Sequence, residues 1–224
     1  AKVESVVSIP NPAADADDLV MIVQRYINGA VTRQIEYLSP FWRSTTAQED
    51  GVFVDAALTY DGAPATVISG LDHIEGETVS ILADGAVRPN AVVTSGAITL
   101  TTAASVVQVG LPYVSNIWTL RNNAGGITSQ SFTRRIEKVT FRFHETLGGY
   151  VGTDADNLDQ LTFRESGDLM DNAVPLFSGD VAVEWDAEYD NSAQIYYRQI
   201  QPLPVTLLAI MPRLYIDEAN PRTV

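Results

Sequence analysis

Two-residue turn signals set between short runs of β-branched residues constrain this chain more than any other feature. Asn28-Gly29, Asp61-Gly62, Asp84-Gly85 and Ser95-Gly96 each interrupt such runs. Pairs of this kind supply the positive φ angles that a tight hairpin needs. Val, Ile and Thr make up about a quarter of the 224 residues. Their stiff side chains suit the pleated surface of a sheet. The pattern predicts an all-β fold of many short strands, in a chain long enough for one large or two small domains.

Residues 18–38, DLVMIVQRYINGAVTRQIEYL, read as a hairpin around Asn28-Gly29. Val31, Arg33, Ile35 and Tyr37 alternate with Thr32, Gln34, Glu36 and Leu38. The first half also fits a helical period, but the specificity of the turn favours strands. Residues 39–51 read as a connector. Turns at Asp61-Gly62, Asp84-Gly85, Pro89-Asn90 and Ser95-Gly96 then mark a small closed β-barrel. Residues 121–131 read as a flexible loop. Val139, Phe141 and Phe143 alternate with Thr140, Arg142 and His144, a half-buried strand. Asp190-Asn191 reads as a hairpin tip between VAVEW and QIYYRQ, and Pro202 and Pro204 as a strand end or sheet edge. The expected organisation is a β platform of residues 1–48 plus 116–224, with a barrel of residues 49–115 inserted in it or following it in series.

GLDHIEGETVSILADG, residues 70–85, has the look of an active site. On a strand, His73, Glu75 and Glu77 would share one face. A metal there would need further ligands and an outer shell of hydrogen bonds that the sequence does not place nearby. Glycines bracketing a strand account for nearly every residue, with Val79, Ile81 and Ala83 inward, Ser80 and Leu82 outward and Glu77 exposed. His73 is expected in a buried hydrogen-bonding role. The acidic runs at 154–159 and 184–190 lack the full spacing of a calcium loop and read as solvated. No phosphate-binding glycine loop or nucleophile elbow is present. Cysteine is absent, which removes disulfides and thiolate chemistry. The expectation is no catalytic, cofactor-binding or metal-binding residue and no cofactor. Phe41, Trp42, Tyr113, Trp118, Trp185, Tyr196 and Tyr197 read as core or contact aromatics, with a sugar-stacking platform as the rival.

The charge is uneven: 28 acidic residues against 14 basic ones, net −14. A tight polyanion binder needs clustered cations, so tight binding of DNA or RNA is not expected. The longest apolar run, residues 203–211, is too short for a membrane-spanning helix, and no signal-peptide pattern is present. The chain opens at Ala1 in sequence that reads as folded, so it is taken as part of a longer polypeptide.

Several of these stretches resemble one family. Gly70–Gly76 leading to Ala83-Asp84-Gly85, and Val107–Tyr113, are similar to core elements of tail tubular protein B, the tail nozzle family of short-tailed bacteriophages. Ile74 stands where the family usually has leucine. Residues 175–183, 199–214 and 20–41 resemble its flanking regions, so the likeness covers nearly the whole chain. It implies an FCCH-like inserted barrel and a structural virion protein without enzymatic activity. It also implies a subunit of a homohexameric tube that carries the genome, beside adaptor and tail-fibre proteins, touching passing DNA only weakly. A surface rich in acid suits a conduit for a polyanion. A receptor- or glycan-binding tail module is the alternative, and a hydrolase using His73 a further rival.

Overall fold

A computed structural model describes residues 1–11, 17–39, 42–43, 45–122, 132–169, 173–185 and 188–217. The expected loop at 121–131 lies almost wholly outside these, as does Phe41. The fold is all-β, with no α-helix among the described residues. Contacts divide the chain into Ala1–Tyr113 and Val114–Val224.

The first unit opens with an antiparallel sheet of β1 (Lys2–Ile9), β2 (Asp18–Ile27) and β3 (Ala30–Tyr37), in that order. Asn28 (φ 46°) and Gly29 (φ 76°) form the tip between β2 and β3. Two successive positive φ angles suit the twist of a two-residue hairpin, and Asn-Gly tolerates them. The hairpin expected at residues 18–38 is therefore present.

A second sheet joins β4 (Asp55–Ser69), β5 (Thr78–Ala83), β6 (Ala86–Val92) and β7 (Ala97–Leu111), in the order β4-β7-β5-β6. Asp84-Gly85 and Ser95-Gly96 make tight turns, again with positive φ at both residues. Asp61-Gly62 does not turn the chain. It lies inside β4, where the register against β7 slips between Asp61 and Ala65. Nor does Pro89-Asn90, which sits in β6 opposite a register shift between Val79 and Ile81. β6 is an edge strand, where proline costs no ladder hydrogen bond. The strands wrap one core containing Ile68, Leu71, Ile74, Ile81 and Val107. The expected barrel is not closed by hydrogen bonds: β4 and β6 are the two ends of the sheet.

Both faces of β5 are covered. Val79, Ile81 and Ala83 face the core as expected, but Ser80 and Leu82 are buried too. Residues 48–51 cross that outer face: Gln48 donates to the Gly85 carbonyl and Gln108 to the Glu49 carbonyl, at 3.1 and 3.2 Å. Gly110 marks another close approach. A Cβ there would lie 2.5 Å from the Asp55 carbonyl oxygen, so the backbones of β4 and β7 could not keep this spacing around a side chain.

The second unit holds two sheets. One has the order β11-β10-β13-β8, from β8 (Ser115–Trp118), β10 (Tyr150–Gly152), β11 (Leu158–Gln160) and β13 (Tyr196–Gln199). The other places β9 (Thr133–Thr146) between β12 (Phe177–Glu184) and β14 (Leu207–Asp217). Phe141 and Phe143 of β9 meet Tyr197 of β13 at ring-centroid distances of 6.5 and 6.1 Å, so both sheets feed one core. Thr140, Arg142 and His144 point away from it, as the alternation predicts. Asp190-Asn191 is not a hairpin tip. β12 and β13 belong to different sheets, and Asp190 instead bridges Arg134.

Where the sequence reading grouped residues 1–48 with 116–224, contacts group them with the second sheet. The reason is physical: Ile27 of β2 is buried in the core of that sheet.

Candidate functional site

The stretch at 70–85 is not a strand through His73. Asp72–Ile74 form one 3₁₀ turn, and Gly76 (φ 79°) bends the chain before β5 begins. His73, Glu75 and Glu77 therefore do not share a strand face. Each is committed elsewhere. Glu75 accepts the backbone N–H groups of Ser95 and Gly96 at 2.9 and 2.7 Å. Asp84 accepts those of Ser105 and Val106 at 3.0 and 2.9 Å. Glu77 is half-buried, not exposed, and accepts the Asn28 N–H at 2.8 Å. A carboxylate that accepts backbone donors is held as firmly as a helix cap.

His73 is half-buried, with Nε2 3.0 Å from the Ala56 carbonyl. A carbonyl only accepts, so this nitrogen carries the proton. The His73 carbonyl in turn receives Gln34 Nε2 at 2.7 Å. The stretch is thus a seat for the β2–β3 hairpin: Glu77 holds its tip, the His73 backbone holds Gln34, and Ile27 enters the core beside Ile74.

Arg25 completes the seat. It is only 6% exposed. Its Nε and Nη2 donate to the Glu36 carboxylate, both at 2.7 Å. Nη1 and Nη2 donate to Asp55 at 2.6 and 2.8 Å. Two forked pairs on one guanidinium match its planar geometry. Arg25 holds the Asp55 carboxyl below its usual range, chiefly through the hydrogen bond and against the opposing effect of burial. Sequence reasoning missed this group because its partners come from β3 and β4. The only signal was an arginine inside a mostly apolar strand.

The other candidates fall apart in space. Asp154 accepts the N–H groups of Asp156 and Asn157, folding 154–157 onto itself. In the 184–190 run, residues 186–187 lie outside the described ones. Among the described residues no group of three or more His, Asp or Glu gathers as a metal site. Trp185 and Tyr197 are buried in the core of the second unit. Trp42 meets Phe53 edge-on. Tyr113 and Trp118 are exposed, and Trp118 stands edge-on to Tyr196, over whose ring Arg198 sits.

A second feature escaped the sequence reading. Val7, Val20 and Tyr37 lie in one cross-strand row of the first sheet, and Ile22 and Ile35 in the next. All but Val20 are exposed. The opposite face, with Val23, Arg25 and Ile27, is the one that meets the seat. A signal was present: residues 19–23 are apolar at both parities, as in a strand covered on two faces. No protein-family model matches the chain, and no curated protein matches it.

Proposed function

We propose that this chain is a subunit of a phage tail nozzle, a passive protein wall around the path of the leaving genome. One observation carries the reading. The residues that resemble the nozzle family, Gly70–Gly76, Asp84 and Gly110, serve scaffolding here: their carboxylates hold backbone N–H groups, and Gly110 lets two strands approach. A motif used in this way suits a structural part without turnover. The net charge of −14 supports it, because a like-charged wall lets a polyanion pass without adhering. In this reading copies form a closed ring, with adaptor and fibre proteins as neighbours. Electron microscopy of virions labelled against this chain tests it. Label at the tail is the expected result; label on the capsid shell, or none, overturns it.

A second reading, a glycan-binding tail module, is favoured by Trp118, which is 58% exposed beside Asn116 and Arg198. Saturable binding on a glycan array, lost in Trp118→Ala, would establish it in place of the first.

A further inference from the structure

The exposed face of the first sheet and the segment after Tyr113 are two apolar surfaces on one chain. Ile35 on the first is 80% exposed, and Leu120 on the second 87%. Val7, Ile22 and Tyr37 surround Ile35, while Val114, Ile117 and Trp118 accompany Leu120 and are exposed too. β8 is the edge of its sheet, so its outer backbone groups face no strand among the described residues. Surfaces of this kind mark contacts with other protein.

Charge says which protein. The chain carries 28 acids in 224 residues, one in eight, but they are unevenly placed. None occurs from Leu19 to Ile35, and none from Gly85 to Ile136. The second surface falls within the later window; β2 and most of β3 fall within the earlier one, while β1 lies outside it and brings one acid, Glu4, to this face, where Arg33 pairs with it at 2.7 Å. A copy of net charge −14 approaches most readily where unpaired acids are withheld from both sides. The two surfaces also differ from each other: one is a sheet face, the other a strand edge with its flank. Unlike surfaces on one chain join head to tail.

We propose that the face of β1–β3 in one copy docks on the Val114–Leu120 segment of a second copy. The face covers roughly 400 Å² in plan, three strands wide and about eight residues long. That is small for an isolated pair but repeats at every joint of a closed assembly. This contact deepens the pipe-wall reading and rests on it for its place in a virion; the contact itself is measured in solution.

Because the chain has no cysteine, introduced thiols report proximity cleanly. Ile35→Cys and Leu120→Cys are made singly, one of them isotopically labelled, and mixed under mild oxidation. Head-to-tail docking predicts that the mixed disulfide outruns both like-with-like products. The double variant should form a concentration-dependent ladder of cross-linked multimers. Like-with-like dimers in excess, a disulfide confined within one chain at every dilution, or no disulfide would each overturn the proposal. Circular dichroism of each variant confirms that it folds, which such exposed positions lead one to expect. A failed cross-link with tail-labelled virions would sink this contact alone; a ladder with unlabelled virions would sink only the nozzle.

Discussion

The two sheets of the first unit use similar residues in opposite ways. In β5 the five residues after Thr78 are buried, and the carboxylates around it each hold a backbone donor. In β1 every residue is exposed, including four large apolar ones, Val3, Val6, Val7 and Ile9. β5 has completed its contacts within the chain; the β1–β3 sheet has packed only the face that meets its seat. A three-stranded sheet gains its stability from the face it packs, so β1–β3 depends on its seat. Alternating apolar residues specify a strand, and what covers that strand is decided elsewhere.

The sharpest way to break this dependence is to remove Arg25. Arg25→Met leaves Glu36 and Asp55 facing each other without their cation. A buried pair broken on one side costs several kcal/mol. Asp55 is half-exposed, which places the expected loss at about 3 kcal/mol. Urea unfolding measures it; a loss under about 1 kcal/mol would mean that the hairpin is seated by apolar contact alone. Gly110→Ala comes next. Its Cβ must displace the Asp55 carbonyl, and overpacking of this kind costs about 2 kcal/mol. An unchanged melting temperature would contradict the close approach.

His73→Ala removes the bond to the Ala56 carbonyl and is expected to cost about 1 kcal/mol. The hydrolase rival predicts instead an intact fold and lost turnover on some polymer. Acid sharpens the comparison further. The Asp55 carboxyl is lowered by Arg25, so its contribution is present above the ordinary carboxylate pKa, near 4. It is lost as pH falls through the lower folded value. Unfolding of the parent should therefore steepen with acid below about pH 4, and more than in Arg25→Met. Equal slopes in the two proteins would show that the clasp is not the titrating element. The smallest effect belongs to the second unit. The Tyr197 hydroxyl is buried with no hydrogen-bond partner among the described residues, and burial raises its pKa. Tyr197→Phe should be neutral or stabilising, by up to about 1 kcal/mol; a clear loss would reveal a bond made by that hydroxyl.

Legibility followed the range of the interaction. Asn28-Gly29, Asp84-Gly85 and Ser95-Gly96 could be read because adjacent residues decide a two-residue turn. Asp61-Gly62 has the same letters but lies in a long strand, held there by pairing with β7. Its fate depended on residues some forty positions away. The outward Leu82 was misread because its cover comes from the connector at 48–51, whose own pattern says nothing of where it lies. Asp190-Asn191 failed for a similar reason: β12 and β13 are neighbours in sequence that entered different sheets. Within the site, a hydrogen-bonding role was expected for His73 and is present, though the side chain is half-buried rather than buried. The roles of Glu77 and Arg25 were not legible, since each pairs with a segment that no local pattern connects to it.

Amide hydrogen exchange in Glu75→Ala, followed by NMR, tests most directly whether the carboxylates at 70–85 serve the fold. If Glu75 holds the turn, the Ser95 and Gly96 amides are protected in the parent. They should exchange roughly ten-fold faster in the variant, the loss of a charge-assisted bond worth about 1.5 kcal/mol, while the second unit is unaffected. Unchanged exchange at those two amides, or a cation found shared by Glu75, Glu77 and Asp84, would contradict a scaffolding role.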